Sequence, residues 1–208
     1  MSLMKKTLLI FDMDGTLIDS SVVISNAINH VRKKLSLPPL KKEDILSVVN
    51  DMHIHSPRYF YDADDFTQEH IVWFQEYYTA YHDKDVALYE GIVSLLENVQ
   101  KKYTLTLATN AYRQSTLQLL AHVGIEGFFE TVVCADDVKE SKPSGEMIEK
   151  ILSAHDCHPS KALMIGDSLK DKEAASRAGV ETILVDWGFS DLDGACEKVD
   201  ELGKLLGV

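Results

Sequence analysis

The 208-residue chain carries 33 acidic and 21 basic side chains, which gives a formal net charge of −12. That acidic balance argues against nucleic-acid binding, because affinity for phosphate backbones comes from clustered Lys and Arg. No apolar run reaches the roughly 18 residues that a membrane-spanning helix needs, and the N-terminal pattern does not match a signal peptide. Three widely spaced cysteines fit neither a disulfide framework nor a zinc motif. The sequence therefore predicts a cytoplasmic protein with reduced thiols and no membrane partner.

Five short apolar runs recur along the chain, and each stops at a polar residue. Runs of this length, bounded by segments of helical period, are typical of buried parallel strands. They lie at residues 7–11, 103–108, 131–135, 162–165 and 182–185. Apolar stripes between and after them predict helices on Ile92, Leu95, Leu96 and Val99; on Leu117, Leu120 and Ala121; on Met147, Ile148, Ile151 and Leu152; and on Leu192, Ala195, Val199 and Leu202. This alternation predicts an α/β fold whose core is a doubly wound, Rossmann-like parallel sheet.

The connection between the first two strands is far longer than one crossover helix, so we expect an inserted unit there. We place the α/β core at residues 1–16 and 90–208, and a small α-helical cap at residues 17–89. Apolar stripes predict two cap helices, on Ile24, Ile28, Val31 and Leu35 and on Ile71, Phe74, Tyr78 and Tyr81. Residues 50–65 have no clean period and are expected to form a loop or a short helical turn.

Four carboxylates follow the ends of two predicted strands. Asp12 and Asp14 come directly after the first strand, and Asp167 and Asp171 follow the fourth, on one face of a helix start. Because the carboxyl ends of parallel strands meet in one crevice, we expect these side chains to converge. Carboxylates that lie so close repel one another unless a cation lies between them. Oxygen ligands of this kind suit Mg²⁺, which prefers few carboxylates, several waters and a substrate phosphate.

Three further residues supply groups that bind an anion. Thr109 and Asn110 end the second strand with a hydroxyl, an amide and backbone N–H groups, near a helix start. Lys142, which is followed by Pro143 and another helix start, supplies a cation. Together with the acids they predict a phosphate site beside Mg²⁺, so the expected partner is a small phosphorylated metabolite.

Taken in order, residues 12–16, 109–110, 142–143 and 166–171 resemble the four motifs of the haloacid dehalogenase superfamily. The resemblance is to its phosphoglycolate phosphatase-like members, in which a helical cap is inserted after the first motif. It spans the whole core, and its specificity lies in the complete set, since each motif alone is weak.

The resemblance implies a role for each matching residue. Asp12 is expected to be the nucleophile that forms an aspartyl-phosphate, and Asp14 the general acid and then the general base. The phosphoryl group is expected to be bound by Thr109, Asn110 and Lys142. The implied ligands of Mg²⁺ are Asp12, Asp167 and the backbone carbonyl of Asp14. Asp171 is expected to lie behind these ligands and to fix their positions and that of Lys142.

In the cap, the candidate specificity residues are His53, His55 and Arg58. Arg58 has the geometry to clamp a carboxylate or a second phosphate of the substrate, although a surface loop without any role is an equally good interpretation of this region.

Two functions stay open. The first is a Mg²⁺-dependent phosphatase, and the alternative is a sugar-phosphate mutase of the β-phosphoglucomutase type, which shares nearly every core residue. A phosphonate hydrolase is disfavoured because no cap lysine lies in an evident apolar pocket, and a dehalogenase because its site would lack Asp14. A signalling receiver module is disfavoured because its paired acids are adjacent and its acceptor lies on a later strand. The sequence predicts neither the leaving group nor the oligomeric state.

Overall fold

A computed structural model describes residues 6–49, 51, 53–188 and 192–208 of the chain, without the side chains of residues 82 and 83. In chain order the elements are β1 (Leu8–Phe11), β2 (Ile18–Asp19), α1 (Ser21–Lys34), α2 (Lys42–Val49), α3 (Ser56–Tyr61), α4 (Gln68–Asp85), β3 (Ala87–Leu88), α5 (Ile92–Val99), β4 (Thr104–Ala108), α6 (Arg113–Val123), β5 (Thr131–Val133), α7 (Glu146–Ala154), β6 (Ala162–Gly166), α8 (Leu169–Arg177), β7 (Glu181–Leu184) and α9 (Val199–Leu205). Among the described helices, none combines the length and the apolar character that crossing a membrane requires.

Strand β1 lies at the centre of a five-stranded parallel sheet with the order β5, β4, β1, β6, β7. The residues Leu9, Ile10 and Phe11 are 0% exposed, as expected of a parallel strand that is covered on both faces. Phe11 pairs with Leu107 of β4 and with Ile165 of β6, so the carboxyl ends of these three strands lie level. The predicted doubly wound α/β fold is confirmed, and the residues that follow β1, β4 and β6 share one crevice.

Two of the predicted core helices bury the expected residues: α5 buries Ile92, Leu95, Leu96 and Val99, and α7 buries Met147, Ile148, Ile151 and Leu152. In α6 the predicted stripe was wrong, because Leu117 and Ala121 are exposed. The buried residues of this helix are Thr116, Leu119 and Leu120. The predicted stripe and the buried stripe both have helical spacing, and both contain Leu120. The buried stripe begins with Thr116, which is not apolar and so is not recognised from hydropathy.

The predicted closing helix is only partly formed, because α9 begins at Val199 and not near Leu192. The backbone of Cys196 pairs with the end of β7 instead. Its N–H donates to the carbonyl of Leu184 at 2.8 Å, and its own carbonyl accepts from the N–H of Asp186 at 2.9 Å. Backbone hydrogen bonding to the sheet, and not the apolar period, therefore decides the conformation of this stretch.

The described residues divide into two compact units, one formed by those up to Ile18 and from Leu88 onward, the other by those from Asp19 to Ala87. The second unit is helical, and its core is formed by Ile28, Val31, Ile45, Val48, Phe60 and Tyr61. Helices α1 and α4 confirm the two helices predicted in this stretch, although Tyr81 of the predicted stripe is exposed. Helix α2 was not predicted. Within the stretch 50–65, residues 50 and 52 lie outside the described part.

A buried arginine explains how the aperiodic stretch is held in the second unit. Arg32 of α1 donates from Nε to the carbonyl of Pro38 at 2.7 Å and from its guanidinium to the carbonyl of Phe60. These bonds fasten the loop after α1 and the end of α3 to the same helix. A hydrogen bond from one arginine that is distant in the sequence produces no periodic pattern of apolar residues. The sequence pattern therefore could not predict the bounds of α3.

In the first unit, an ion pair between Arg113 and Asp137 fastens the start of α6 to the end of β5. Arg113 Nε donates to Asp137 Oδ1 at 2.9 Å, and the guanidinium also donates to Oδ2 and to the carbonyl of Val132. Asp137 Oδ2 accepts a further bond from the N–H of Cys134 at 2.8 Å. The hydrogen bond from Arg113 is the main reason that the pKa of Asp137 lies below its usual value of 3.8.

We expect Asp137→Asn to lower the free energy of unfolding at neutral pH by about 1–2 kcal/mol, the scale of a partly exposed charged hydrogen bond. Because folding depresses the pKa of Asp137, its contribution is present above about pH 4 and disappears as the pH falls through the folded-state value. Urea unfolding at neutral pH and near about pH 3 should show a gap between variant and wild type that shrinks in acid.

Asp64→Asn is the control for this measurement, because Asp64 is 97% exposed where it meets Arg58 at 3.4 Å. This variant should leave the stability unchanged at both pH values. A gap for Asp137→Asn that stays constant in acid would contradict the assigned role of the carboxylate.

Candidate active site

Asp12 begins the turn that follows β1. Its N–H donates to the carbonyl of Ile165 at 2.9 Å, so the pairing with β6 continues into the site, and the residue is 8% exposed. The chain then reverses around the carbonyl of Met13, which accepts from the N–H of Leu17 at 2.9 Å. Gly15 adopts a φ of +80° in this turn, a conformation that residues with a Cβ rarely take. The turn therefore presents Asp12 and Asp14 at the carboxyl end of the central strand.

Lys142 is the cation of the site, and its ammonium group has three acceptors. Lys142 Nζ donates to Asp12 Oδ1 at 2.6 Å, to Asp171 Oδ1 at 2.6 Å and to the carbonyl of Ala108 at 2.7 Å. The side chain is only 3% exposed. Burial alone would lower the pKa of Lys142, but the Asp12 and Asp171 carboxylates outweigh burial and raise it, so the group stays charged.

Asp171 is fully buried, and both of its carboxylate oxygens are engaged. Oδ1 accepts from Lys142, while Oδ2 accepts from Ser168 Oγ at 2.6 Å and from the N–H of Ser168 at 3.1 Å. Ser168 in turn caps the N-terminus of α8. Ser168 is not among the predicted site residues, although a serine three positions before an acid at a helix start is the signature of a capping box.

Three carboxylates of the described residues come together here: Asp12, Asp167 and Asp171 each offer an oxygen, and these oxygens lie within 4.8 Å of one another. Burial and the neighbouring acids raise the pKa of Asp12 to about 7, with Lys142 opposing the shift, and burial likewise raises the pKa of Asp167. One ammonium does not balance three carboxylates at this spacing, so the donor set fits a divalent cation.

The two residues best placed to hold that cation are Asp12 and Asp167. Lys142 engages only Oδ1 of Asp12, so Oδ2 has no hydrogen-bond donor among the described residues. Asp167 Oδ1 accepts from Thr16 Oγ1 at 3.3 Å. Both oxygens of Asp171 already accept hydrogen bonds, which suits this residue to orienting Lys142. The carboxylate of Asp14 is not part of the group, and its backbone carbonyl stays the predicted ligand.

Thr109 and Asn110 lie at the end of β4, where the sequence predicts the phosphate site. Thr109 is buried, and its Oγ1 accepts from the N–H of Ala111 at 3.1 Å. The Asn110 side chain is bound to the backbone of Lys142: its Oδ1 accepts from the N–H at 3.0 Å and its Nδ2 donates to the carbonyl at 2.8 Å. Asn110 therefore holds the loop that carries the cation.

Two backbone N–H groups at the strand ends are available to an anion. Within the described part of the chain, the amides of Met13 and Asn110 donate to no backbone oxygen. They follow β1 and β4, which are neighbours in the sheet. Unpaired N–H groups at the ends of adjacent strands can donate hydrogen bonds to phosphate oxygens.

The cap residues singled out from the sequence are exposed in the second unit. His55 Nδ1 accepts from the N–H of Arg58 at 3.3 Å and so caps α3, while His53 donates its N–H to Asp51 Oδ1 at 2.8 Å. The Arg58 guanidinium lies 3.7 Å from Asp62 and 3.4 Å from Asp64. Ion pairs between such exposed groups are weak.

Gly15 is required next to Asp167. A Cβ at this position would lie 2.1 Å from Asp167 Oδ2. We expect Gly15→Ala to displace Asp167 and to weaken Mg²⁺ binding by about tenfold or more, the usual scale when a ligand is misplaced. Calorimetric titration of the variant with Mg²⁺ measures this loss.

Gly124→Ala is the matched control, because Gly124 has a φ of +74° but nothing within 4 Å of its Cβ position. Both variants carry backbone strain of about 1 kcal/mol or more, and only Gly15→Ala should lose affinity for Mg²⁺. Equal affinities in the two variants would show that Gly15 serves the turn alone.

The sequence of this chain is similar to those of known hydrolases. A family model for haloacid dehalogenase-like hydrolases matches residues 9–185. The chain is 31% identical to pyrophosphatase PpaX of Bacillus velezensis over an alignment that covers 97% of each protein.

Two solved structures have a fold similar to that of this chain. A Lactobacillus plantarum protein described as a phosphoglycolate phosphatase aligns with a TM-score of 0.84 at 22% identity, covering 97% of this chain and 99% of that one. A Thermotoga maritima protein described as a β-phosphoglucomutase aligns with a TM-score of 0.74 at 24% identity, again covering 97% and 99%. At these identities the two structures establish a shared fold only.

Proposed function

The chain belongs to the haloacid dehalogenase-like hydrolases, and on that premise we propose that it is a Mg²⁺-dependent phosphatase that hydrolyses a small phosphorylated compound through an aspartyl-phosphate on Asp12. One observation carries this proposal: Lys142 Nζ bridges Asp12 and Asp171 at 2.6 Å each, with Asp167 beside them. The bridge holds the Asp12 carboxylate in one orientation at the end of β1. A buried, oriented carboxylate beside a fixed cation suits phosphoryl transfer, where positioning and electrostatics do most of the work.

In the proposed reaction an Asp12 carboxylate oxygen attacks phosphorus, and the bond from phosphorus to the leaving oxygen breaks as the new bond forms. Asp14 donates a proton to that leaving oxygen. Asp14 then takes a proton from a water whose oxygen attacks the phosphorus of the aspartyl-phosphate, which releases phosphate and regenerates the Asp12 carboxylate. Lys142 and the amides after β1 and β4 offset the charge on the phosphoryl oxygens.

Asp12, Asp167 and the backbone carbonyl of Asp14 would hold Mg²⁺, whose positive charge would offset the negative charge of the carboxylates and of the phosphate. Burial raises the pKa of both Asp12 and Asp167, and a bound cation would favour the charged form of the two carboxylates.

We propose inorganic pyrophosphate as the first substrate to test, because the relative at 31% identity is named a pyrophosphatase. The helical unit would then be the cap that selects the leaving group, with His53, His55 and Arg58 as its candidate contacts. Arg58 fits a leaving group that is itself a phosphate, since a guanidinium binds phosphate oxygens through two parallel hydrogen bonds.

Release of inorganic phosphate from pyrophosphate, phosphoglycolate, sugar phosphates and nucleoside monophosphates tests the substrate assignment. The mutase alternative predicts a different product, an isomeric sugar phosphate without free phosphate. No observation on this chain favours it, because the likeness to the Thermotoga maritima protein is one of fold.

Removal of the metal should abolish turnover of the best substrate. We expect EDTA to reduce phosphate release to background and Mg²⁺ in excess of the chelator to restore it, because without the ion three carboxylates face an anionic substrate. The control adds NaCl at the same ionic strength in place of Mg²⁺ and should restore nothing. Full turnover in EDTA would exclude the proposed metal site.

A further inference from the structure

Trp187 lies beyond the end of β7 and is joined through one residue to a candidate metal ligand. The partly buried indole donates from Nε1 to the backbone carbonyl of Thr16 at 2.9 Å. Thr16 is 1% exposed, and its Oγ1 donates to Asp167 Oδ1 at 3.3 Å. A continuous path of hydrogen-bonded groups therefore runs from the indole to the carboxylate.

The backbone of the same segment is anchored beside Asp167. The N–H of Val185 donates to the carbonyl of Gly166 at 2.9 Å, directly before Asp167 in the chain. The N–H of Asp186 donates to the carbonyl of Cys196 at 2.9 Å. Trp187 thus extends from backbone that is fixed to β6, the strand that carries Asp167.

The indole is also held from its other side. Its ring lies 6.1 Å from the ring of Tyr89 at an interplanar angle of 55°, a tilted arrangement that is favourable for aromatic pairs. The N–H of Tyr89 donates to the carbonyl of Leu17 at 3.2 Å, the residue after Thr16. One neighbour of the indole, Thr16, therefore belongs to the turn that follows Asp12, and the other, Tyr89, is hydrogen-bonded to the same segment.

We propose that Trp187 is a positioning residue for Asp167: its N–H fixes the Thr16 peptide, and the Thr16 hydroxyl fixes the carboxylate for Mg²⁺. The inference rests on the proposed function, because it requires Asp167 to bind the metal. The physical basis is that a ligand whose orientation is set by surrounding hydrogen bonds loses less freedom when the ion arrives.

Trp187→Phe tests the inference, since it keeps an aromatic ring and removes the N–H. Calorimetric titration with Mg²⁺, in the absence of substrate, should show binding about tenfold weaker than in wild type. The midpoint of thermal unfolding in EDTA should stay close to the wild-type value. Thr16→Val, which removes the hydroxyl at nearly constant volume, should weaken Mg²⁺ binding to a similar degree.

The double variant of Trp187→Phe with Thr16→Val decides whether the two residues act through one path. If they do, the double variant binds Mg²⁺ no more weakly than the weaker single variant. Losses that multiply, or a fall in metal-free stability that matches the loss of affinity, would reduce Trp187 to a packing residue and overturn the inference. Unchanged affinity in Trp187→Phe would overturn it as well.

Fluorescence gives an independent readout, because the chain has two tryptophans, Trp73 and Trp187. In Trp73→Phe the remaining signal comes from Trp187, and Mg²⁺ should change its emission with the midpoint found by calorimetry. Trp187→Phe, which keeps only Trp73, is the control and should not respond. A flat Trp187 signal during calorimetrically measured binding would contradict the coupling, whereas a wild type that binds no Mg²⁺ would overturn the proposed function and the inference together.

Discussion

Asp12→Asn should lower kcat on the best substrate by about 10⁴-fold or more, the scale on which loss of a nucleophile acts. The amide cannot form the aspartyl-phosphate, yet its oxygen can still accept the hydrogen bond that Lys142 Nζ makes to Oδ1 at 2.6 Å. Folding should survive the change, because the substitution also removes one of the mutually repelling acids. Steady-state phosphate release at saturating Mg²⁺, together with thermal unfolding, measures the two effects separately.

Asp14→Asn is the matched variant, because it changes the neighbouring acid and leaves the nucleophile in place. With an aryl phosphate, whose leaving group departs with little help from a general acid, we expect it to accumulate phosphorylated enzyme that hydroxylamine cleaves, because the acyl phosphate is not hydrolysed without its general base. Asp12→Asn should show no such adduct by intact mass. An adduct in Asp12→Asn would assign the covalent step to another residue.

The location of the site was predictable from the sequence because the end of each buried strand is visible as the end of an apolar run. Apolar runs stop at Asp12, Thr109 and Gly166, and in a parallel sheet the carboxyl ends of such runs meet without any further information. Acidic residues that follow two of these ends then predict a metal as counter-charge. Composition and spacing were enough to reach that point.

The bonds between the motifs were not predictable, because each depends on the path of a loop. The sequence position of Asn110 predicts a phosphate ligand, whereas its side chain is hydrogen-bonded to the carbonyl and the N–H of Lys142, at 2.8 and 3.0 Å respectively. Trp187 belongs to no motif, and its link to Thr16 arises only when the end of β7 pairs beside Gly166. Residues that orient other side chains can therefore be identified only from the tertiary structure, which shows their hydrogen-bond partners.

Lys142→Met should destabilise the metal-free protein by about 3–5 kcal/mol, the usual result of removing one partner from a buried charge network. Methionine fills a similar volume but leaves Asp12, Asp171 and the carbonyl of Ala108 without their shared donor. The two carboxylates then face each other with no cation between them. Urea unfolding in EDTA measures the loss.

Mg²⁺ should recover more stability in Lys142→Met than it adds to wild type, because the ion becomes the main counter-charge for Asp12 and Asp167. Turnover should stay about 10²–10³-fold below wild type even with Mg²⁺, since the ion does not replace the ammonium group that orients the Asp12 carboxylate.

Lys6→Met provides the control for a buried lysine outside the site. Lys6 Nζ donates to the carbonyl of Ala162 at 2.9 Å and pairs with Glu181 at 2.7 Å, with the lysine side chain 3% and the glutamate side chain 55% exposed. Water can solvate Glu181 once the lysine is gone, so this variant should lose less stability, and Mg²⁺ should not restore it. Equal losses in the two variants, with no selective recovery by Mg²⁺, would mean that Lys142 acts as a packing residue and not as the counter-charge of the acidic group.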